Sequence, residues 1–240
     1  QRLKIINESN LFEIKAVVDI DTDSAKKKIS KDYSNLKEKI FSTITEAKKN
    51  ENINASFIFA TTHAHSSLSI ESLENKLHTY CVKSVSLNAK QFKNFYKIKK
   101  KFNNLIFFQG YNNQWNQTSL KMKDLIQNDL GNVLGGNCIC WGRQNLKRLP
   151  PQDDVLYEGM FFHTLACHQL SQSVSSCGLP DYGPAKYMNR IDEELDYRGI
   201  NGTSGGQAFF EYKNNVPFCY ISLLVQKVVL STQIHASINM

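Results

Sequence analysis

The sequence lacks the features that mark membrane-spanning, disulfide-stapled and zinc-binding proteins. Nowhere in its 240 residues does an apolar stretch approach the roughly 18 consecutive residues that a membrane-spanning helix needs. The six cysteines include no C-x-x-C pair, and at this chain length their spacing does not fit a disulfide framework, so we expect reduced thiols. No signal peptide is visible, and the chain starts at Gln1 rather than Met, which indicates a fragment or a processed product.

The composition is that of a globular protein with a basic surface. Hydrophobic residues make up 41% and aromatic residues 11% of the chain, which is enough for one large core or two small ones. The formal net charge is +7 and the isoelectric point is about 9.0. Such a charge favours contact with nucleic acids, acidic proteins or anionic surfaces without selecting among them.

In the first part of the chain, segments with strand patterns alternate with segments with helix patterns. This alternation is typical of an α/β arrangement, so we predict an α/β part over residues 1–110. The predicted elements are strands over 11–20, 55–62, 80–87 and 104–109, and helices over 24–49, 69–79 and 89–102.

The second part begins after a polar, asparagine- and glutamine-rich stretch over residues 110–119, which is the best internal boundary. Helices are predicted first, over 120–130, after Cys138 and over 157–175, and strands follow over 207–212, 216–225 and 227–240. Helices followed by an antiparallel sheet indicate an α+β unit over residues 120–240. The predicted class of the whole chain is therefore α+β, with the α/β part first.

The most reactive side chain that the pattern indicates is the thiol of Cys138. Two glycines, Gly135 and Gly136, precede it, and helix-compatible residues follow over 142–148. We therefore predict that Cys138 lies in the first turn of a helix, where unpaired N–H groups and the positive end of the dipole stabilise a thiolate. A thiolate in this position is a candidate nucleophile.

Two short motifs resemble those of papain-like cysteine hydrolases, the group that includes CHAP-type amidohydrolases and papain-fold effectors and toxins. The first is the run over 136–143 around Cys138, and the second is the strand over 234–238 that contains His235. Asn132 lies six residues before Cys138, where this family places its oxyanion-hole amide. The resemblance covers roughly residues 125–240 and implies that Cys138 is the nucleophile, His235 the base, and Asn132 an oxyanion-hole donor.

The resemblance also carries expectations about activity and location. It implies an amide-cleaving cysteine hydrolase (a protease, deamidase or amidase) with a protein substrate and no cofactor. It also implies a bacterial effector or toxin that is secreted or delivered into another cell. The chain departs from the family where Asn132 replaces the usual Gln. No Asp or Asn follows His235 at the family's spacing, so the third catalytic residue stays open.

A strongly basic helix over 89–102 supports an alternative, a non-catalytic module that docks on an acidic protein or a nucleic acid. Phe92, Phe95 and Tyr96 form its apolar stripe, and lysines lie mostly opposite. The competing interpretation is a solvated amphipathic helix. The candidate binding residues are Lys93, Lys97, Lys99, Lys100 and Lys101.

The histidines of the α/β part allow one further site. His63 and His65 follow a predicted strand at alternate positions, so both imidazoles share a face there, with Asp19 or Asp21 as a third metal ligand. The favoured interpretation is that the aspartates cap the next helix and that no metal is bound.

Overall fold

The computed structural model divides the chain into two compact units, Gln1–Gln109 and Gly110–Met240. Each unit is described by itself. Within the described ranges, no helix has both the length and the apolar character that crossing a membrane requires, as the sequence predicted. The structure describes residues 2–29, 31–130, 133–142, 167–179, 190–191, 203–212, 216–224 and 233–235.

The first unit alternates helices with strands along the chain. β1 and β2 form a parallel pair, and β3, β4 and β5 form a three-stranded sheet in that order, with β3 and β4 parallel. A 3₁₀ segment, Lys31–Leu36, lies between α2 and β2. The elements are α1 (Arg2–Glu8), β1 (Val17–Val18), α2 (Thr22–Lys28), β2 (Ile40–Phe41), α3 (Ile44–Asn50), β3 (Ala55–Ile58), α4 (Thr62–Glu74), β4 (His78–Val82), α5 (Ala89–Lys101) and β5 (Phe107–Gly110).

The single helix predicted over 24–49 is wrong, because a strand interrupts it. β2 pairs with β1 so that Ile40 lies opposite Val17, a contact between distant residues that a local apolar period cannot reveal. α3 then begins after Thr43, whose side chain accepts a hydrogen bond from the N–H of Glu46 at 3.1 Å. This Thr-x-x-Glu spacing is a helix-start signal within the predicted helix.

α4 begins at Thr62, seven residues before the predicted start, and its buried side chains are mostly small and polar. Ser69 and Ser72 are fully buried beside Leu73, at the spacing expected for one face of a helix. The hydroxyl of Ser56 on β3 donates to Ser72 at 2.9 Å, which ties the helix to the sheet. Because serine carries no hydrophobic signal, the apolar pattern did not reveal this face.

The core of the first unit lies where α4 and α5 pack beside the sheet. Leu73, Val85, Phe95 and Leu105 form a buried cluster, and the ring of Phe107 lies 4.6 Å from that of Phe95. Apolar burial of this kind stabilises a fold by roughly 1.5–3 kcal/mol for each large side chain. Val85 and Leu105 lie in the loops that flank α5, so the cluster also anchors those loops.

A second row of aromatic rings runs across the three strands. The ring of Tyr80 on β4 lies 5.6 Å from Phe57 on β3 and 5.8 Å from Phe108 on β5. Alternate residues of a strand point to opposite faces, and the neighbours of Tyr80, Thr79 and Cys81, are the buried positions of β4. The aromatic row therefore lies on the face opposite to Thr79 and Cys81.

The second unit contains a mixed five-stranded sheet in the order β10-β6-β9-β8-β7. β6 and β9 are parallel, and the other neighbouring pairs are antiparallel. A 3₁₀ segment, Asn112–Trp115, precedes the first helix. The elements are α6 (Gln117–Asn128), β6 (Gly136–Gly142), α7 (Cys167–Cys177), β7 (Arg190–Ile191), β8 (Thr203–Tyr212), β9 (Val216–Leu224) and β10 (Gln233–His235).

The predicted helix after Cys138 is wrong, because Cys138 lies in the middle of strand β6. The strand pairs on both sides, so that Cys138 lies opposite Ile234 of β10 and opposite Tyr220 of β9. Its residues Ile139 and Trp141 belong to the β-branched and aromatic types that favour strands. The strands predicted over 207–212 and 216–225 are confirmed as β8 and β9.

Candidate functional site

The structure places the predicted nucleophile and the predicted base on neighbouring strands of one sheet, not on a helix and a facing strand. Cys138 lies in a strand, so the helix N-terminus that was expected to activate its thiol is not there. β10 is the strand next to β6, and the register places His235 opposite Asn137. Asn132 lies outside the described residues, so its predicted role as an oxyanion-hole donor has no described geometry.

Two of the free cysteines, Cys81 and Cys177, are in environments that disfavour the thiolate. Burial raises the pKa of Cys81 to about 11. Burial also raises the pKa of Cys177 above its ordinary value. A nucleophilic cysteine needs the opposite shift, so neither of these thiols is a candidate catalytic group.

We predict that the raised pKa of Cys81 makes stability depend on pH in alkaline solution. In the unfolded chain the thiol ionises near pH 9.0, whereas in the folded chain it ionises near 11. The stabilising contribution is complete below pH 9.0 and is lost between these values, by at most about 3 kcal/mol. Urea unfolding at a series of pH values should show that the free energy of unfolding falls more steeply with pH in the wild-type chain than in Cys81→Ala. Equal pH dependence of the two proteins would contradict the prediction.

The predicted metal pair is also separated by the structure. β3 ends at Ile58 and α4 begins at Thr62, so His63 and His65 lie in a helix rather than at a strand end. Residues two apart in a helix point roughly 200° apart, so the two rings cannot share one ion. His63 is exposed and His65 is buried, and among the described residues no group of three or more potential ligands suits a metal.

Two aspartates lie at the carboxyl end of β1, and one of them, Asp21, caps the next helix as predicted. Asp21 is the N-cap of α2, because its Oδ1 accepts a hydrogen bond from the N–H of Ser24 at 2.9 Å. Asp19 accepts a hydrogen bond from the N–H of Asp21 at 3.0 Å. Both carboxylates are exposed, and each keeps a second oxygen that can accept a hydrogen bond from a ligand.

The carboxyl ends of β3 and β4 meet at one edge of the sheet, because these two strands are parallel. Lys83, which is half-buried, is the first residue after β4, and the Lys83–Ser84 peptide bond is cis. α4 begins at this same edge, and its N-cap residue, Thr61, makes no side-chain capping bond within the described part of the chain. In open parallel sheets, ligands bind outside the carboxyl ends of the strands.

His65 connects the two loops of this edge. Its Nδ1 lies 2.8 Å from the carbonyl oxygen of Ser84, in the loop after β4, and its Nε2 lies 3.0 Å from that of Ala60, in the loop after β3. We refer to residues 59–61 and 83–87 as the β3 loop and the β4 loop. Sequence reasoning missed both Lys83 and this bridge, because Lys83 lies inside the strand that was predicted over 80–87, whereas the observed β4 ends at Val82.

The basic helix is confirmed as α5 (Ala89–Lys101), but its apolar stripe is narrower than predicted. Only Phe95 is buried, whereas Phe92 and Tyr96 are about half exposed and stack with their rings 5.9 Å apart. The ammonium of Lys100 lies 4.7 Å above the ring of Tyr96. Binding of an anionic partner by this face stays a prediction. The lysines assigned to it are Lys93, Lys97, Lys99, Lys100 and Lys101.

Several solved structures with a similar fold are described as dehydrogenases. The crystal structure of a probable dehydrogenase from Thermotoga maritima matches with a TM-score of 0.73 at 18% identity, over 90% of this chain and 63% of that one. The structure of scyllo-inositol dehydrogenase from Lactobacillus casei with bound NAD(H) and scyllo-inositol matches with a TM-score of 0.70 at 13% identity, over 98% of this chain and 69% of that one.

A relative found by sequence comparison is also a dehydrogenase. Myo-inositol 2-dehydrogenase from Thermotoga maritima is 24% identical over 180 residues, which make up 72% of this chain and 49% of that protein. The chain therefore spans about half the length of this curated relative. No protein-family profile matches the chain.

These comparisons show that the chain has a Rossmann-like fold, which these dehydrogenases share, and they contradict the papain-like resemblance. The prediction of a papain-like thiol hydrolase, whether protease, deamidase or amidase, is wrong, as is the alternative of a non-catalytic binding module. The roles given to Cys138, His235 and Asn132 lose their basis with it, as does the expectation of a protein substrate. The α+β class holds only in the coarse sense of a mixed fold with parallel strands. Delivery outside the producing cell stays a prediction.

Proposed function

We propose that this chain is part of an NAD(P)-dependent oxidoreductase that moves a hydride between a nicotinamide cofactor and a hydroxyl-bearing substrate of the cyclic polyol class. The observation that carries the proposal is the match of 98% of the chain to a dehydrogenase with bound NAD(H) and scyllo-inositol. The curated relative, a myo-inositol 2-dehydrogenase, supports the same reaction class.

The described residues fit one part of such a cofactor. Asp19 and Asp21 present carboxylate oxygens at the carboxyl end of β1, and acidic side chains in this position accept hydrogen bonds from the adenosine ribose. The sequence contains no G-x-G-x-x-G, the motif that cradles the pyrophosphate in many such folds. We therefore assign Asp19 and Asp21 to binding of the adenosine ribose, and we assign no residue to the pyrophosphate.

We assign Lys83 as the base that accepts the proton released by the substrate hydroxyl. A nicotinamide cofactor would supply the hydride acceptor, and oxidation of a hydroxyl also releases a proton that a nearby base must take. A lysine that acts as a general base accepts a proton at Nζ while it is neutral, and it returns that proton to the carbonyl oxygen in the reverse reaction. Lys83 follows β4 directly, at the edge where parallel sheets bind their ligands, and it is half-buried.

We predict that the chain binds NADH at least about tenfold more tightly than NADPH, because Asp19 and Asp21 accept from a ribose 2′-hydroxyl but repel a 2′-phosphate. Titration of the intrinsic NADH and NADPH fluorescence measures both dissociation constants. Asp19→Asn should bring the two dissociation constants closer together, since it removes one negative charge that repels the 2′-phosphate. Asp129→Asn, which changes an exposed aspartate in the second unit, should leave the difference unchanged.

Two results would count against this proposal. Absence of saturable binding of either dinucleotide would remove the basis for a dehydrogenase. Tighter binding of NADPH than of NADH would show that the carboxylates of β1 do not face the ribose, and the assignment of Asp19 and Asp21 would then be withdrawn.

A further inference from the structure

The ring of His65 is almost completely buried, with 1% of the residue exposed, and it contacts a backbone carbonyl at each nitrogen. The two carbonyls belong to different loops: Ser84 lies in the β4 loop at 2.8 Å, and Ala60 in the β3 loop at 3.0 Å. Both distances are within the range of good hydrogen bonds. One side chain therefore spans the two loops that form the candidate ligand edge.

The chemistry of these contacts makes them directional. A carbonyl oxygen only accepts, so each contact is a hydrogen bond when the ring nitrogen that faces the carbonyl carries the proton. A buried carbonyl that loses its donor is costly to leave unsatisfied. Replacement of the ring should therefore disturb both loops at once.

The β4 loop is anchored on its other side by the core. Val85, next to Ser84, belongs to the buried cluster with Leu73, and Lys83 precedes Ser84 directly. The backbone of Lys83 is thus confined between β4, which ends at Val82, and a carbonyl that His65 contacts. The position of the lysine depends on where this carbonyl is placed.

We propose that His65 is a positioning residue that bridges the β3 loop and the β4 loop, and that it places Lys83 at the ligand edge of the sheet. That His65 joins the two loops follows from its contacts with the carbonyls of Ser84 and Ala60 alone. The expected effect on turnover rests on the proposed function, because only that function gives Lys83 a chemical role.

Two conservative replacements separate the halves of the bridge. The side-chain amide nitrogen of Asn lies close to the place of the imidazole Nδ1, and that of Gln lies close to the place of Nε2. His65→Asn should keep the contact with the Ser84 carbonyl and lose the one with the Ala60 carbonyl, whereas His65→Gln should do the reverse. His65→Ala loses both contacts.

Hydrogen exchange of the full chain, followed by mass spectrometry, tests the bridge without any ligand. His65→Ala should raise exchange about tenfold in both loops, His65→Asn mainly in the β3 loop, and His65→Gln mainly in the β4 loop. The matched control is His78→Ala. His78 lies at the opposite end of β4 and accepts a hydrogen bond from the N–H of Ile106 at 3.0 Å, so its loss should leave both loops unchanged.

Three results would overturn the bridge. One is unchanged exchange of either loop in His65→Ala. Another is the same loop responding in both conservative variants. The third is a uniform increase that extends to α3 in all variants, because it would mean that His65 is only a packing residue. If His65→Ala does not fold, the test rests on the other two variants: the bridge requires faster exchange mainly in the β3 loop of His65→Asn and mainly in the β4 loop of His65→Gln.

Steady-state kinetics of the same variants test the effect on Lys83. His65→Gln should lower kcat about tenfold and change the KM for NAD⁺ less than twofold, because the ribose contacts are assigned to β1. An unchanged kcat in a variant with a disturbed β4 loop would overturn the positioning role. If the wild-type chain binds no NADH, the proposed function fails, and the exchange pattern still decides the bridge.

Discussion

Replacement of Lys83 by Met should lower the rate of NAD⁺-dependent polyol oxidation by a factor of about 10² to 10⁴, the usual cost of losing a general base. Met keeps the length and apolar stem of the side chain but cannot accept a proton. NADH affinity should change little, since the ribose contacts are assigned to Asp19 and Asp21. The measurement is the absorbance of NADH formed from myo-inositol or scyllo-inositol.

Two further variants show whether the lysine acts through its proton or its charge. Lys83→Arg keeps the positive charge but cannot lose a proton, so it should be as slow as Lys83→Met if Lys83 is the base. Lys48→Met is the matched control, because Lys48 is a half-buried lysine on α3 that donates to the carbonyl of Ile53. Full turnover in Lys83→Met would show that the base lies elsewhere.

Truncation of Leu73 to Ala should destabilise the first unit by about 2–5 kcal/mol, the largest loss that we expect from a single core change. Leu73 has no exposed surface, and it packs with Val85, Phe95 and Leu105. The cavity left by its side chain adds to the lost transfer free energy, because close-packed neighbours relax only in part.

Hydrogen exchange of the α4 and β4 peptides across a urea series measures this loss for the first unit alone. Leu11→Ala serves as the control, because Leu11 belongs to the same unit and is 80% exposed, and it should change stability by less than about 0.5 kcal/mol. A loss below about 1 kcal/mol in Leu73→Ala would show that the cluster is not the core of the unit.

The helix α5 shows where sequence reasoning works well. Lysines and aromatic residues alternate at helical spacing, and the side chain of Asn88 caps the first turn by accepting from the N–H of Gln91 at 2.9 Å. Both signals lie within a few residues of each other, so no distant contact is needed to read them. The exposure of Phe92 was not predictable, because it depends on what the rest of the chain covers.

The segment around Cys138 shows where the same reasoning fails. Glycines followed by a short apolar run fit both a strand and the start of a helix, and local periodicity does not decide between them. Pairing with Ile234 and Tyr220, both distant in sequence, makes the segment a central strand. The short motifs that resembled a cysteine hydrolase carried no information about these partners.

The sequence by itself determined the alternation of helices and strands in the first unit, the helix α5, and the lack of a long apolar helix among the described residues. These properties depend on neighbours within one or two turns of chain. Only the tertiary structure decided that β2 interrupts a helical pattern, that Cys138 lies in a strand, and that His65 joins two loops. Each of these depends on a partner far along the chain, and a side-chain pattern records its own period but not the segment that will pair with it.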